Sequence, residues 1–265
     1  MFSILLYLLL SIVTSYNQIL LYKAVRLSAA AYCHKDIYST MMLDNDFLYN
    51  TTIYDRRSDL QGYIGTTPGV IWIVLRGTSS ARNWARDLEA RRIEYTTFPE
   101  CNCSVHQGFY LSAEWVHEDT LVAVRRLLVD YPLSEVVLTG HSYGAACSQL
   151  LAMELLKNGI QTNIYSFGSP RVGDSAYSIF MTSFIKHFRI THSRDIVPHV
   201  PPKQMGYIHS SHELWENETG VLIECIDNDE KEDPYCNAQY KLIDTSIDDH
   251  LVYLGQPMQC LYDNI

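Results

Sequence analysis

VVLTGHSYGAACSQLLAMELL, residues 136–156, changes its pattern in the middle. Val136 to Thr139 is a short apolar run rich in β-branched residues, as expected of a strand buried on both faces. Tyr143 to Leu156 repeats its apolar residues at helical spacing. Between them, Gly140-His141-Ser142-Tyr143-Gly144 matches G-x-S-x-G. A sharp strand-to-helix turn forces its central residue into a strained conformation and leaves no room for side chains at the flanking positions. It lifts the Ser142 hydroxyl above the sheet and aims the N–H groups of the helix N-terminus at developing negative charge. The competing reading is a glycine-flanked helix start without chemistry; the strand before and the helix after favour a nucleophile.

The pattern extends in both directions. Gln18 to Cys33 carries Leu20, Leu21, Ala24, Val25, Leu27 and Ala31 at helical spacing. Val70 to Leu75, VIWIVL, reads as a second buried strand. Ser112 to Asp130 is a long helix with Trp115, Val116, Thr120, Leu121, Val124, Leu127 and Leu128 along one stripe, and Pro132 stops it. A strand near Asn163 to Phe167, a helix near Ser175 to Phe184 and a strand near Lys186 to Thr191 follow. Strands alternating with helices predict an α/β fold with a mostly parallel central sheet flanked by helices. Ligands on such sheets sit at the carboxyl ends of the strands, where Ser142 falls.

Composition narrows the function. Of 265 residues, 47% are hydrophobic and 19% charged, which suits a globular domain with a sizeable core. A net charge of −10 argues against a nucleic-acid partner, since phosphate binding needs concentrated Lys and Arg. Residues 1–15 read as a signal peptide: Met1 to Val13 is almost wholly apolar but shorter than the roughly 20 residues that cross a bilayer, and small residues follow. Residues 16–265 then form a single domain, because no repeat or Pro/Gly-rich linker divides them. Sequons at Asn50, Asn102 and Asn217 and a count of seven cysteines agree with a secreted protein in an oxidising compartment. The cysteines lack the paired clusters of a zinc site, and the odd count leaves one thiol over, for which Cys147 is the candidate.

A serine hydroxyl attacks only when a base takes its proton, and the base needs a carboxylate to fix its tautomer. In α/β-hydrolases these follow in the order Ser, Asp, His. Asp195 comes just after the strand ending near Thr191; its rival Asp174 stands at a helix start, where capping explains an Asp. Among ten histidines, His250 is last in the chain, and position alone prefers it only slightly over His192, His199, His209 and His212.

From about Leu27 onward the chain resembles the class 3 lipases, the group of secreted filamentous-fungal lipases and related feruloyl esterases. The likeness rests on LSAAAYC ending at Cys33, Leu75-Arg76-Gly77-Thr78, Arg82-Asn83-Trp84 with Asp87-Leu88, Val105-His106-Gln107-Gly108-Phe109 and GHSYG. It continues through Gly168-Ser169-Pro170-Arg171-Val172-Gly173, Asp195-Ile196-Val197-Pro198, His209-Ser210-Ser211 and Asp249-His250. It implies an α/β-hydrolase fold and a triad of Ser142, Asp195 and His250, with Thr78 and Tyr143 as the oxyanion hole. One departure is that Tyr143-Gly144-Ala145 stands where the family has Leu and then Gly-Gly. Only the Tyr143 N–H is required, so catalysis is unaffected while the acyl-pocket wall could differ.

The resemblance also implies disulfides Cys33–Cys260, Cys101–Cys103 and Cys225–Cys236; the first, closing a long loop, contributes roughly 4–5 kcal/mol in the chain-entropy model. Asp227, Asp229 and Glu230 hint at calcium, but an EF-hand would need Gly at Glu232 and Glu at Ala238, so this segment is expected to be a solvated acidic loop. In the family, the segment after the oxyanion residue is a helical lid. Here that places Ala81, Trp84, Ala85 and Leu88 on its apolar face, available for transient contact with a lipid interface. The chemistry implied is ester hydrolysis through an acyl-enzyme, without metal or organic cofactor and without an obligate protein partner. Acylglycerols are the expected substrates; feruloyl-type or other soluble esters, or phospholipids, are the alternative. A non-catalytic secreted binding module on a hydrolase scaffold is the alternative from another class.

Overall fold

A computed structural model describes residues 16–38, 46–78, 90–210, 212–228 and 230–260. Helix α1 (Gln18–Ala30) opens on Asn17, whose side chain accepts from the Ile19 and Leu20 amides. Strands β1 (Leu48–Asp55), β2 (Leu60–Thr67) and β3 (Val70–Leu75) form an antiparallel meander. A small ribbon of β4 (Arg92–Glu94) and β5 (Ser104–His106) precedes helix α2 (Gln107–Asp130). Then come β6 (Glu135–His141), α3 (Tyr143–Lys157), β7 (Asn163–Phe167), α4 (Ser175–Phe184) and β8 (Lys186–His192). Strands β9 (Glu213–Glu216) and β10 (Leu222–Glu224) finish the main sheet, and β11 (Val252–Tyr253) pairs with β12 (Gln256–Pro257).

The eight-stranded sheet has the order β1-β2-β3-β6-β7-β8-β9-β10. Its centre, from β3 to β9, is parallel, and only the margins run antiparallel. The VIWIVL strand shows how the layers form. All six of its residues are buried. Because successive side chains point to opposite faces, Ile71, Ile73 and Leu75 join the core under α2 and α3, whereas Val70, Trp72 and Val74 join the core under α1. Burying each such side chain contributes about 1.5–3 kcal/mol.

Helix α1 ends at Ala30, three residues short of the expected Cys33. Helix α2 begins at Gln107, five residues before the expected Ser112, because the His106 ring caps it by accepting from the Phe109 amide. Asp174 caps α4 and also accepts from the Ser104 amide and hydroxyl, so this rival carboxylate is committed to structure. Disulfides join Cys33 to Cys260, Cys101 to Cys103 and Cys225 to Cys236; Cys147 is free and buried, and burial pushes its thiol up. Asn50 and Asn102 are exposed and Asn217 is half-buried. Among the described residues no helix is long and apolar enough to cross a membrane.

The expectation of a solvated acidic loop after Cys225 holds for Glu230, which is exposed, but fails for Asp227 and Glu232. Asp227 is buried against Arg189, at 3.2 Å, and accepts from the His212 and Glu213 amides. Glu232 makes a two-pronged pair with Arg171, at 2.7 and 2.8 Å, with only 4% of each side chain exposed. Burial alone would raise the Glu232 carboxyl, but the Arg171 hydrogen bonds and charge hold it well below the usual carboxylate range. Two arginines buried by the sheet and its loops need counter-ions, and this segment supplies them. Cys225 and Cys236, which with Asp233 have metal-ligand proximity, are used up as a disulfide.

Candidate active site

Ser142 occupies the junction of β6 and α3 with φ 59° and ψ −126°. A non-glycine residue in this region costs on the order of 1–3 kcal/mol and persists only where its surroundings enforce it. Gly144 is part of that enforcement, since a Cβ there would lie 2.3 Å from the Leu75 carbonyl oxygen. The Ser142 amide donates to the Phe167 carbonyl at 2.9 Å, tying the turn to the end of β7.

Asp195 and His250 come together from 55 residues apart. His250 Nδ1 lies 2.8 Å from Asp195 Oδ2, and both side chains are fully buried. A carboxylate only accepts, so Nδ1 carries the proton and Nε2 presents a bare lone pair. The second Asp195 oxygen accepts from the Val197 amide at 2.8 Å, and the Tyr253 hydroxyl donates to Oδ2. Burial, then the Asp195 charge, raises Tyr253 well above the ordinary phenol value, which keeps it a donor. His250 sits in a short 3₁₀ turn, Asp249–Leu251. Two strand-terminal histidines grip successive carbonyls of that turn: His192 Nδ1 bonds the Asp249 oxygen at 2.8 Å and His141 Nε2 the His250 oxygen at 2.9 Å.

The His250 ring is tilted over that of His141, the neighbour of Ser142, with centroids 4.3 Å apart. Ser142 Oγ and His250 Nε2 are both buried and find no hydrogen-bond partner among the described residues, and the same holds for Thr78 Oγ1. Thr78 follows β3 and Tyr143 opens α3. The Tyr143 ring packs edge-on against Phe109 and shares a hydrogen bond with the Ser112 hydroxyl, so its side chain belongs to the contact with α2. The expected lid residues Ala81, Trp84, Ala85 and Leu88, like the expected leader of residues 1–15, lie outside the described residues.

A strained serine at a strand-to-helix turn, with an Asp-supported imidazole packed on the ring of the preceding His141, is the arrangement that the lipase resemblance implies. The family described as "Lipase (class 3)" matches residues 72–205, which include the serine turn and Asp195. The chain belongs to the class 3 lipase family. A lipase from Rhizomucor miehei is 34% identical over 78% of this chain and 57% of its own length. A secreted mono- and diacylglycerol lipase from Penicillium cyclopium is 35% identical over 60% of this chain and 52% of its own length. The chain thus spans little more than half the length of the curated relatives it matches. A solved triacylglycerol lipase whose catalytic centre is formed by a serine protease triad is 29% identical, with a TM-score of 0.84 over 93% of this chain and 97% of that one.

Three residues of this class 3 lipase site escaped the reading of the sequence: Tyr32, His141 and Tyr253. His141 is a free position of the serine pentapeptide, and its contacts depend on chain ends 109 residues away in both directions. Tyr253 follows His250 by three residues, a spacing without meaning until the turn is seen.

Proposed function

We propose that the chain is a secreted serine carboxylic-ester hydrolase that cleaves acylglycerols through an acyl-enzyme. Ser142 Oγ attacks the ester carbonyl while its proton passes to His250 Nε2. Asp195 holds the tautomer and stabilises the imidazolium. The backbone N–H groups of Thr78 and Tyr143 hold the oxyanion, where loss of one donor typically costs on the order of 100-fold in turnover. The protonated His250 then releases the alcohol, and water, activated by the same imidazole, frees the acid. The single observation that carries this reading is the buried Asp195–His250 pair with Nε2 uncommitted, its ring packed on that of His141, which precedes a serine held at φ 59°.

Acylglycerols are favoured because the relatives are lipases, one of them a mono- and diacylglycerol lipase. Export fits the secreted relative, the three disulfides and the apolar run of residues 1–15, the proposed signal peptide of a single-domain enzyme. Residues 79–89 are proposed as the lid, carrying Ala81, Trp84, Ala85 and Leu88 to a lipid interface. Asn50, Asn102 and Asn217 are the proposed glycan carriers.

Ser142→Ala tests the core of the proposal. Turnover of emulsified triacylglycerol and of a short soluble ester should fall by at least about 1,000-fold, and fluorophosphonate labelling should vanish with the melting temperature unchanged. A Ser142→Ala protein that still hydrolyses esters would end the assignment. Comparing emulsified triacylglycerol with soluble and feruloyl esters sets the substrate class.

A further inference from the structure

His141 lies next to the proposed nucleophile and against the proposed base, so it could be mistaken for a second base. Its bonds exclude that. The ring is fully buried, with Nε2 at 2.9 Å from the His250 carbonyl oxygen and Nδ1 at 2.5 Å from the Tyr32 hydroxyl. A carbonyl oxygen accepts only, so Nε2 carries the proton. Nδ1 therefore bears the lone pair, and Tyr32 donates to it. Burial, then the neighbouring His250, keeps the His141 imidazole neutral by lowering its proton affinity well below the ordinary value. Both nitrogens are thus committed, and no basic lone pair faces Ser142.

The relay's contacts reach further. The Tyr32 oxygen also packs against Gly77, where a Cβ would lie 2.2 Å from that oxygen and 2.9 Å from the Ser142 Cβ. Gly77 immediately precedes Thr78. The His250 amide bonds only within its own turn, to the Ile247 carbonyl at 3.1 Å. Its carbonyl is held to the sheet by His141.

We infer that Tyr32 and His141 form a positioning relay that fixes the backbone of His250 relative to Ser142 and to the oxyanion segment at Gly77-Thr78. The relay rests on the functional reading above, in which His250 is the base. The role requires neither residue to touch substrate. Its physical basis is the steep dependence of proton transfer on placement: a misplacement of about 1 Å can cost on the order of 100-fold in rate.

The test compares wild type with Ser142→Ala, His141→Phe, His141→Gln and Tyr32→Phe. The measurements are kcat and KM on a short soluble ester, the rate of Ser142 labelling by a soluble fluorophosphonate, and the melting temperature. His141→Phe keeps the ring volume but removes the donor, and kcat and the labelling rate should fall about 10- to 100-fold with KM within about twofold. His141→Gln returns an N–H near the Nε2 position and should recover most of that loss. Tyr32→Phe, which frees the His141 tautomer, should lose about threefold to tenfold in both rates. If Ser142→Ala is inert while His141→Phe and Tyr32→Phe label and turn over as wild type does, the relay is wrong and the nucleophile stands. If Ser142→Ala remains active, the functional reading fails first. If losses in the His141 and Tyr32 variants follow a falling melting temperature and a rising KM, and Gln brings no recovery, the residues are packing and the relay is again wrong. Should His141→Phe not fold, Tyr32→Phe and His141→Gln decide: a kcat loss in the first alone supports the relay, and wild-type rates in both overturn it.

Discussion

Gly168 shows how little space the proposed triad leaves. It directly follows β7 with φ +57°, and a Cβ there would lie 2.7 Å from the Tyr253 oxygen, 2.8 Å from His250 Cε1 and 2.9 Å from an Asp195 oxygen. Three groups of the site thus converge on one missing side chain. Gly168→Ala must displace the imidazole, the carboxylate or the turn itself. Strain at a positive φ adds roughly 1–2 kcal/mol. Turnover should fall at least about tenfold, and the melting temperature by a few degrees, by roughly 2–4 °C per kcal/mol in a chain of this size. Steady-state kinetics beside a thermal scan reads both. Full turnover in Gly168→Ala would mean that the imagined crowding relaxes without touching the chemistry.

At the scale of elements, the site depends on loops that the buried ion pairs hold in place. Arg171 reaches from the β7–α4 connection to Glu232 and also donates to the His199 and Pro201 carbonyls, in the segment that follows Asp195. Removing the carboxylate leaves a guanidinium in a buried site without its counter-charge, which costs about 3–5 kcal/mol. Glu232→Ala should therefore lower the melting temperature by roughly 10 °C, and a thermal scan that shows no change would refute the view of this segment as a counter-ion donor. The sequence did not disclose the pairing, because an acidic run reads as solvated until its arginines are known to be buried. Strands with continuous apolar residues, such as β3 and β6, were legible. Strand β1, LYNTTIYD, is an edge strand with a bulge between Tyr49 and Thr51, and only two of its eight residues are buried. Strand β2, LQGYIGTT, is buried but its apolar residues are interrupted by Gln61 and two glycines, so neither announces itself by pattern. Ser142 was legible because local steric rules dictate its pentapeptide. Asp195 was preferred because a helix cap accounts for its rival Asp174, whereas His250 was separated from its rivals only by the family resemblance, since convergence of distant loops leaves no local mark.

Across the whole molecule, buried histidines tie stability to pH. His187 bridges the hydroxyls of Ser166 and Ser210, at 2.7 Å each, and burial with the charge of Arg189 lowers it to about 3. His199 is lowered to about 4 by burial and Arg171, and His209 well below the ordinary value by burial and Arg189. An unfolded imidazole titrates near 6.5, so below that pH the unfolded chain binds protons that the folded chain refuses. The contribution of each group is complete above about pH 6.5 and is lost as pH falls toward its folded value, by up to about 1.4 kcal/mol per pH unit and per histidine. Asp227, whose carboxyl burial raises, acts in the opposite sense, with stability lost as pH rises. With at least three histidines against one carboxyl, the melting temperature should drop steadily from pH 6.5 to 4.5. His187→Gln can still bond one serine and has no proton to gain, so its melting temperature should depend less steeply on pH than that of wild type. Equal slopes for the two proteins over that range would show that the buried imidazoles do not govern acid stability.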